Sequence, residues 1–165
     1  MDNHAMSALP ILYRHHRWSW LKLFDELAAL PGDALNLTNP GTYGTIHETI
    51  THTMLNERRF IEAIDSSRPV SLEPHPDPLP SLAELRDHFL ADAVALIEAA
   101  GRVTEATMVT GDYRGQKFEL PAVVPLFQAY NHGVEHRTDI TSILNAHGYE
   151  LPGLHLWAFN DAGMP

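Results

Sequence analysis

Four stretches of this chain carry apolar residues at helical spacing between helix-starting and helix-stopping residues, a recurrence that predicts an all-α fold. Residues 10–30 set Ile11, Trp18, Leu21, Phe24 and Leu27 behind Pro10, which suits a first helical turn, and stop at Pro31-Gly32. Thr45-Ile46-His47-Glu48 has the form of a capping box, in which a hydroxyl and a carboxylate satisfy each other's backbone N–H groups. Behind it Ile46, Ile50, Met54, Ile61 and Ile64 continue one stripe to an end near Ser66. Ser81-Leu82-Ala83-Glu84 is a second box, followed by Leu85, Phe89, Val94 and Ile97 and a stop at Gly101. The last segment, residues 121–146, stops at Gly148.

Two connections complete the reading. Residues 68–80 are too proline-rich for regular structure and long enough to cross the end of a bundle. Residues 107–120 alternate around Gly111 and Gly115 like a short hairpin. The expected architecture is an antiparallel four-helix bundle with one long crossing connection and a short hairpin before the last helix. With 165 residues and 44% apolar content the chain can bury one substantial core, so a single domain over residues 1–165 is expected.

Charge and composition narrow the function. Asp and Glu outnumber Lys and Arg by 21 to 11 with no basic cluster, so nucleic acid is a poor partner. No apolar run reaches the roughly 20 residues of a membrane helix and no basic-then-apolar signal opens the chain, so a cytoplasmic location without membrane association is the expectation. A small-molecule substrate is the expected partner, with assembly as a homodimer left open. There is no cysteine, which removes disulfides, thiolate ligands and a cysteine nucleophile. Histidine, by contrast, occurs eleven times, and imidazole is the commonest protein ligand for transition metals.

His132 and His136 stand four residues apart, one turn along a single helix face. At about 100° per residue that face also holds Ala129, Gly133, Ile140 and Ile143, while Gln128, Asn131, Glu135, Asp139 and Ser142 gather opposite, so both rings are expected to point into the bundle. Such a pair can be a hydrogen-bonded core pair or two ligands of one ion. Gly133, a poor helix former, fits a place where something approaches the backbone. The order His-Gly-Val-Glu-His is not the HExxH metalloprotease motif. A catalytic zinc site usually has three protein ligands, so one ligand must come from elsewhere. On the helical wheel His52 falls off the apolar stripe, and the residues alone leave His47, His16 and Glu48 equally open as the third ligand.

Residues 45–54, Thr-Ile-His-Glu-Thr-Ile-Thr-His-Thr-Met, resemble the second-helix motif of the DinB/YfiT-like metalloproteins, and residues 131–137, Asn-His-Gly-Val-Glu-His-Arg, closely resemble their last-helix motif. Residues 13–30 are similar to the first helix of that family, the hairpin at Gly115 lies where theirs does, and residues 148–157 are similar to their closing tail. The resemblance implies a four-helix bundle holding one divalent transition metal, zinc or nickel, on His52, His132 and His136. Of the remaining histidines, His4, His75, His147 and His155 read as solvated, and His15, His16 and His88 as polar or packed helix residues, with His16 nearest the implied site. Trp18, Trp20, Phe24 and Phe127 read as core.

The family also implies chemistry. Some relatives are thiol-dependent S-transferases that use low-molecular-weight thiols, and others are metal-dependent hydrolases or isomerases with metal-activated water. A metal in a cysteine-free protein can lower the pKa of an incoming thiol, and Arg14, Arg17, Arg58, Arg59 or Arg137 can hold the carboxylates of such a thiol. A hydrolase needs a general base, with Glu48 or Glu57 nearest in sequence. The third reading is a non-catalytic metal-binding or stress-response module, although structural zinc sites are normally closed by a fourth ligand.

Overall fold

Both capping boxes form. Thr45 accepts from the Glu48 N–H while the Glu48 carboxylate accepts from the Thr45 N–H, and Ser81 and Glu84 repeat the arrangement. The computed structural model describes residues 8–65, 70 and 74–165, so His4, Ser66 and Arg68 fall outside it. Four long helices are present: α1 (Ala8–Ala29), α2 (Ile46–Ile64), α3 (Leu82–Arg102) and α4 (Val123–Ala146). A two-stranded sheet, β1 (Met108–Tyr113) with β2 (Gln116–Pro121), precedes α4, and a short α5 (Leu156–Asp161) closes the chain. No helix among the described residues is long and apolar enough to cross a membrane.

Pairs of residues give the direction of each helix. Asp25 late in α1 meets Arg86 early in α3, so these two run antiparallel. Ile50 shares a cluster with Ile140 and Ile143, and Ile64 one with Leu126, so α2 and α4 are antiparallel too. α2 and α3 are parallel instead: His47 bonds the Pro80 carbonyl at their starts, and Arg58 meets Asp92 further along. The segment joining them therefore does more than cross one end of the bundle. The end of the 19-residue α2 and the start of α3 lie at opposite ends of the bundle, about 28 Å apart at 1.5 Å per residue. The described residues of the joining segment around His75 lie beside the first half of α2.

The core divides into two clusters. One centres on Trp20, Phe24 and Phe89, whose rings lie 5.9–6.1 Å apart, and the other on Tyr13, Leu96 and Leu126. Burying each of these aromatic rings contributes on the order of 2–3 kcal/mol. Phe127 is not core: it is 52% exposed because its neighbour Leu126 takes the inward position. Val94 is exposed in the same way beside buried Ala93.

Local chemistry explains the boundaries. Gly101 lies inside the last turn of α3, which continues to Arg102 and closes with the Val103 N–H on the Ala99 carbonyl. Gly148 does end α4, at a φ of +84° that suits glycine. In the hairpin the positive-φ pair is Arg114-Gly115, at +54° and +78°, a two-residue turn that matches strand twist. Gly111 has another role, since a Cβ there would come within 2.4 Å of the Phe118 ring laid across it. α5 is capped by His155, whose Nδ1 accepts from the Ala158 N–H, and it packs Phe159 on His15 and Trp18. His155 was expected to be solvated only. Its backbone role was hidden because histidine is not among the usual capping residues.

Candidate metal centre

α2 and α4 face each other in antiparallel order, which places the middle of one helix against the middle of the other. His52 on α2 and His132 and His136 on α4 meet there, with candidate ligand nitrogens all within 4.8 Å of one another. His132 Nε2 stands 3.2 Å from His52 Nε2 and 3.2 Å from His136 Nε2. Three imidazole nitrogens cannot satisfy one another at such spacing, because each pair shares at most one proton. A tetrahedral ion with N ligands at about 2.05 Å needs them about 3.3 Å apart, so the donor set fits a divalent ion such as zinc.

The surroundings fit as well. Asp139 Oδ2 lies 3.2 Å from His136 Nδ1, which holds the proton on Nδ1 and leaves the Nε2 lone pair for an ion. Tyr43 stacks on the His52 ring at 4.0 Å, and Phe60 meets the His132 ring edge-on at 5.7 Å. Burial, with mutual repulsion second, lowers His52 and His132 from 6.5 to about 4, so both rings are neutral near pH 7. Neutral imidazole is the form that binds a metal. His132 Nδ1 is buried without a hydrogen-bond partner among the described residues.

The centre lies on the flank of the bundle. All three histidines are partly exposed, whereas Ala129, Gly133, Ile140 and Ile143 of the same α4 face are buried. The expectation that His132 and His136 point into the core is corrected accordingly: they border the apolar face. The same position accounts for His52, which the wheel put off the α2 stripe. The other candidates for third ligand are engaged elsewhere: His47 with the Pro80 carbonyl, Glu48 in the capping box, and His16 with Glu57.

Residues 1–163 match the DinB family. The chain belongs to the DinB family. A crystal structure of a DinB-like protein from Bacillus cereus ATCC 10987 superposes with a TM-score of 0.56 and 19% identity, covering 85% of this chain and 95% of that one. At that identity the likeness shows the fold alone. No curated protein matches the chain.

Behind the histidines, this DinB-family chain carries a buried polar network that the sequence reading missed. His16 and Glu57 are fully buried, with His16 Nε2 2.8 Å from Glu57 Oε1. Arg137 Nη1 lies 3.1 Å from His16 Nδ1, and because arginine can only donate, Nδ1 accepts and the Nε2 proton goes to Glu57. A neutral imidazole thus bridges a buried carboxylate and a buried guanidinium. Burial lowers Arg137 to about 10, opposed by the Glu57 charge, so it remains cationic at neutral pH. Gly133 belongs to this network: a Cβ there would lie 2.3 Å from His16 Cε1 and 3.2 Å from Glu57 Oε1. What approaches the backbone at Gly133 is the His16 ring. The available signal was the coincidence of a helical glycine with charged residues one helical turn from a core stripe.

Of the five arginines considered as anion holders, Arg137 is committed to His16 and Arg58 to Asp92. Arg59 is beside the centre: it donates to Asn56 Oδ1 at 3.2 Å, while the Asn56 amide donates to the His52 carbonyl at 2.9 Å.

Proposed function

We propose that this protein is a metal-dependent enzyme that activates a low-molecular-weight thiol for transfer to a small electrophile, using zinc or nickel held by His52, His132 and His136. The observation that carries the reading is the three-nitrogen set, with His132 Nε2 3.2 Å from each of the other two and all three within 4.8 Å, on a partly exposed flank in a chain without cysteine. Among the described residues the group contains three ligands and no fourth, the pattern of a site that keeps a position for an exogenous group. When bound, the metal supplies positive charge that lowers the pKa of a thiol from its ordinary value of about 8.5. Three neutral imidazoles leave that charge undiminished.

The protein's own residues do the rest. Asp139 fixes the His136 tautomer, and the Tyr43 and Phe60 rings hold His52 and His132 and restrict water around them. In the overall step the thiol loses its proton, its sulfur forms a bond to the electrophilic carbon, and the leaving group departs with its electron pair. The hydrolase reading is weaker. Glu48 is spent on its capping box and Glu57 is fully buried against His16, so neither base candidate is free beside the centre.

The test uses cobalt-substituted protein. Cysteine and glutathione should each change its visible spectrum, while serine, with oxygen in place of sulfur, should not. Glutathione and 1-chloro-2,4-dinitrobenzene should then give the thioether and chloride faster with wild type than with His132→Ala. If no thiol alters the spectrum while ester hydrolysis is detected, the hydrolase reading replaces this one.

A further inference from the structure

His16 touches both helices that carry the metal ligands. Its Nε2 donates to Glu57 of α2 at 2.8 Å and its Nδ1 accepts from Arg137 of α4 at 3.1 Å, all three side chains being buried. On α4 the ligands His132 and His136 form one row. The residues that follow them, Gly133 and Arg137, form the adjoining row about 100° round the helix. Both residues of that second row meet the His16 ring: Arg137 through its guanidinium, and Gly133 by leaving open the space where a Cβ would lie 2.3 Å from His16 Cε1. α2 and α4 are thus joined twice, on the interior through one neutral imidazole and on the flank through the three imidazoles of the ion site.

The flank does not keep itself in register. His132 Nε2 stands 3.2 Å from the His52 and His136 nitrogens, close to the spacing of about 3.3 Å that a tetrahedral ion requires, although three neutral imidazoles cannot satisfy one another there. Asp139, Tyr43 and Phe60 orient the rings. The height of α4 against α2 is a separate requirement: a slip of one residue moves a ligand about 1.5 Å along the axis and about 100° round it, whereas coordination tolerates about 0.2 Å. His16 meets that requirement. Its ring is packed among Tyr13, Phe89 and Tyr130 at centroid distances of 5.9–6.1 Å, a fixed body to which both helices are tied.

We propose that His16 is a positioning residue of the metal centre, which sets the height and rotation of α4 against α2 through Glu57 and Arg137 and so holds His132 and His136 in reach of the ion that His52 binds. The proposal rests on the reading of His52, His132 and His136 as metal ligands and is independent of the thiol chemistry. Two substitutions separate the hydrogen-bonded link from mere bulk. In His16→Gln the amide can donate to Glu57 and its oxygen accept from Arg137, whereas His16→Leu fills space and makes neither bond.

Zinc affinity by chelator competition, the visible spectrum of the cobalt form and stability in urea are measured for wild type, His16→Gln, His16→Leu and Leu27→Ala. Leu27 is buried about three turns along α1 from His16, so its truncation lowers stability without touching the link. His16→Leu should bind zinc about 10–100-fold more weakly, the loss usual when support behind a ligand is removed, and its cobalt bands should lose intensity as the coordination departs from tetrahedral. His16→Gln should recover most of both, and Leu27→Ala should bind zinc as wild type does. If His16→Leu does not fold, Gly133→Ala, which displaces the same ring, takes its place and should show the same spectral change. Wild-type affinity and spectrum in the variant that removes or displaces the ring would overturn the proposal. So would equal impairment of Leu27→Ala, which would reduce the effect to overall stability, or a His16→Gln protein as weak as His16→Leu. Wild type that binds no stoichiometric metal would overturn the metal centre itself, and this proposal with it.

Discussion

Replacing Gly133 with alanine in the middle of α4 should destabilise the protein, against the usual direction of that change in a helix. Intrinsic propensity alone would favour alanine by about 1 kcal/mol. Here the new Cβ would sit 2.3 Å from His16 Cε1, and His16 cannot simply turn away, since Glu57 at 2.8 Å and Arg137 at 3.1 Å hold both its nitrogens. Either the helices separate, at the roughly 1–3 kcal/mol of an overpacked core, or the ring leaves its partners, at the roughly 3–5 kcal/mol of a broken buried pair. Subtracting the propensity gain leaves a net loss of up to about 2 kcal/mol by the first route and about 2–4 kcal/mol by the second, which for a chain of this size lowers Tm by up to about 8 °C or by about 4–16 °C respectively. Gly101→Ala is the internal control: nothing lies within 4 Å of its Cβ, and the same propensity should there give a gain of about 0.5–1 kcal/mol. Urea denaturation of the metal-free proteins, followed by circular dichroism, measures both. A Gly133→Ala variant as stable as wild type would refute the argument that the His16 ring requires this glycine.

Asp139→Asn should weaken metal binding about 10–100-fold while leaving the helices intact, because the His136 tautomer loses its carboxylate partner; competition with a chromophoric chelator measures it. The pH dependence of the metal-free protein follows from His52 and His132, whose folded pKa of about 4 lies below the ordinary 6.5 that holds in the unfolded chain. Between those values the unfolded state binds more protons, so stability is fully present above about pH 6.5 and falls as pH drops toward 4. Thermal melts at successive pH values should show that fall, and it should be shallower in His132→Gln; identical slopes would contradict the assigned burial of the ring.

The elements were largely legible because their signals are local. The capping boxes at Thr45 and Ser81, the turn at Gly115 and the stop at Gly148 each need only a few consecutive residues. The His132 and His136 pair was legible for the same reason, since one helical turn separates them. α5 was not, because its cap is a histidine and its packing depends on His15 and Trp18 far away in sequence.

By itself the sequence determined four helices, a hairpin, a metal-capable pair on the last helix and, through its resemblance to the DinB family, a third histidine. Tertiary structure alone decided that α2 and α3 run parallel, that the three histidines lie on a flank, and that Gly133 makes room for His16. Those facts depend on which helix faces which and at what height. Residues 52 and 132 are eighty positions apart, and no periodicity within either helix records that their nitrogens stand 3.2 Å from each other. The wheel marked His52 as off the apolar stripe, and correctly; what it could not register is that α4 brings two more imidazoles to the margin of that stripe, where an ion can be held and solvent can still reach it.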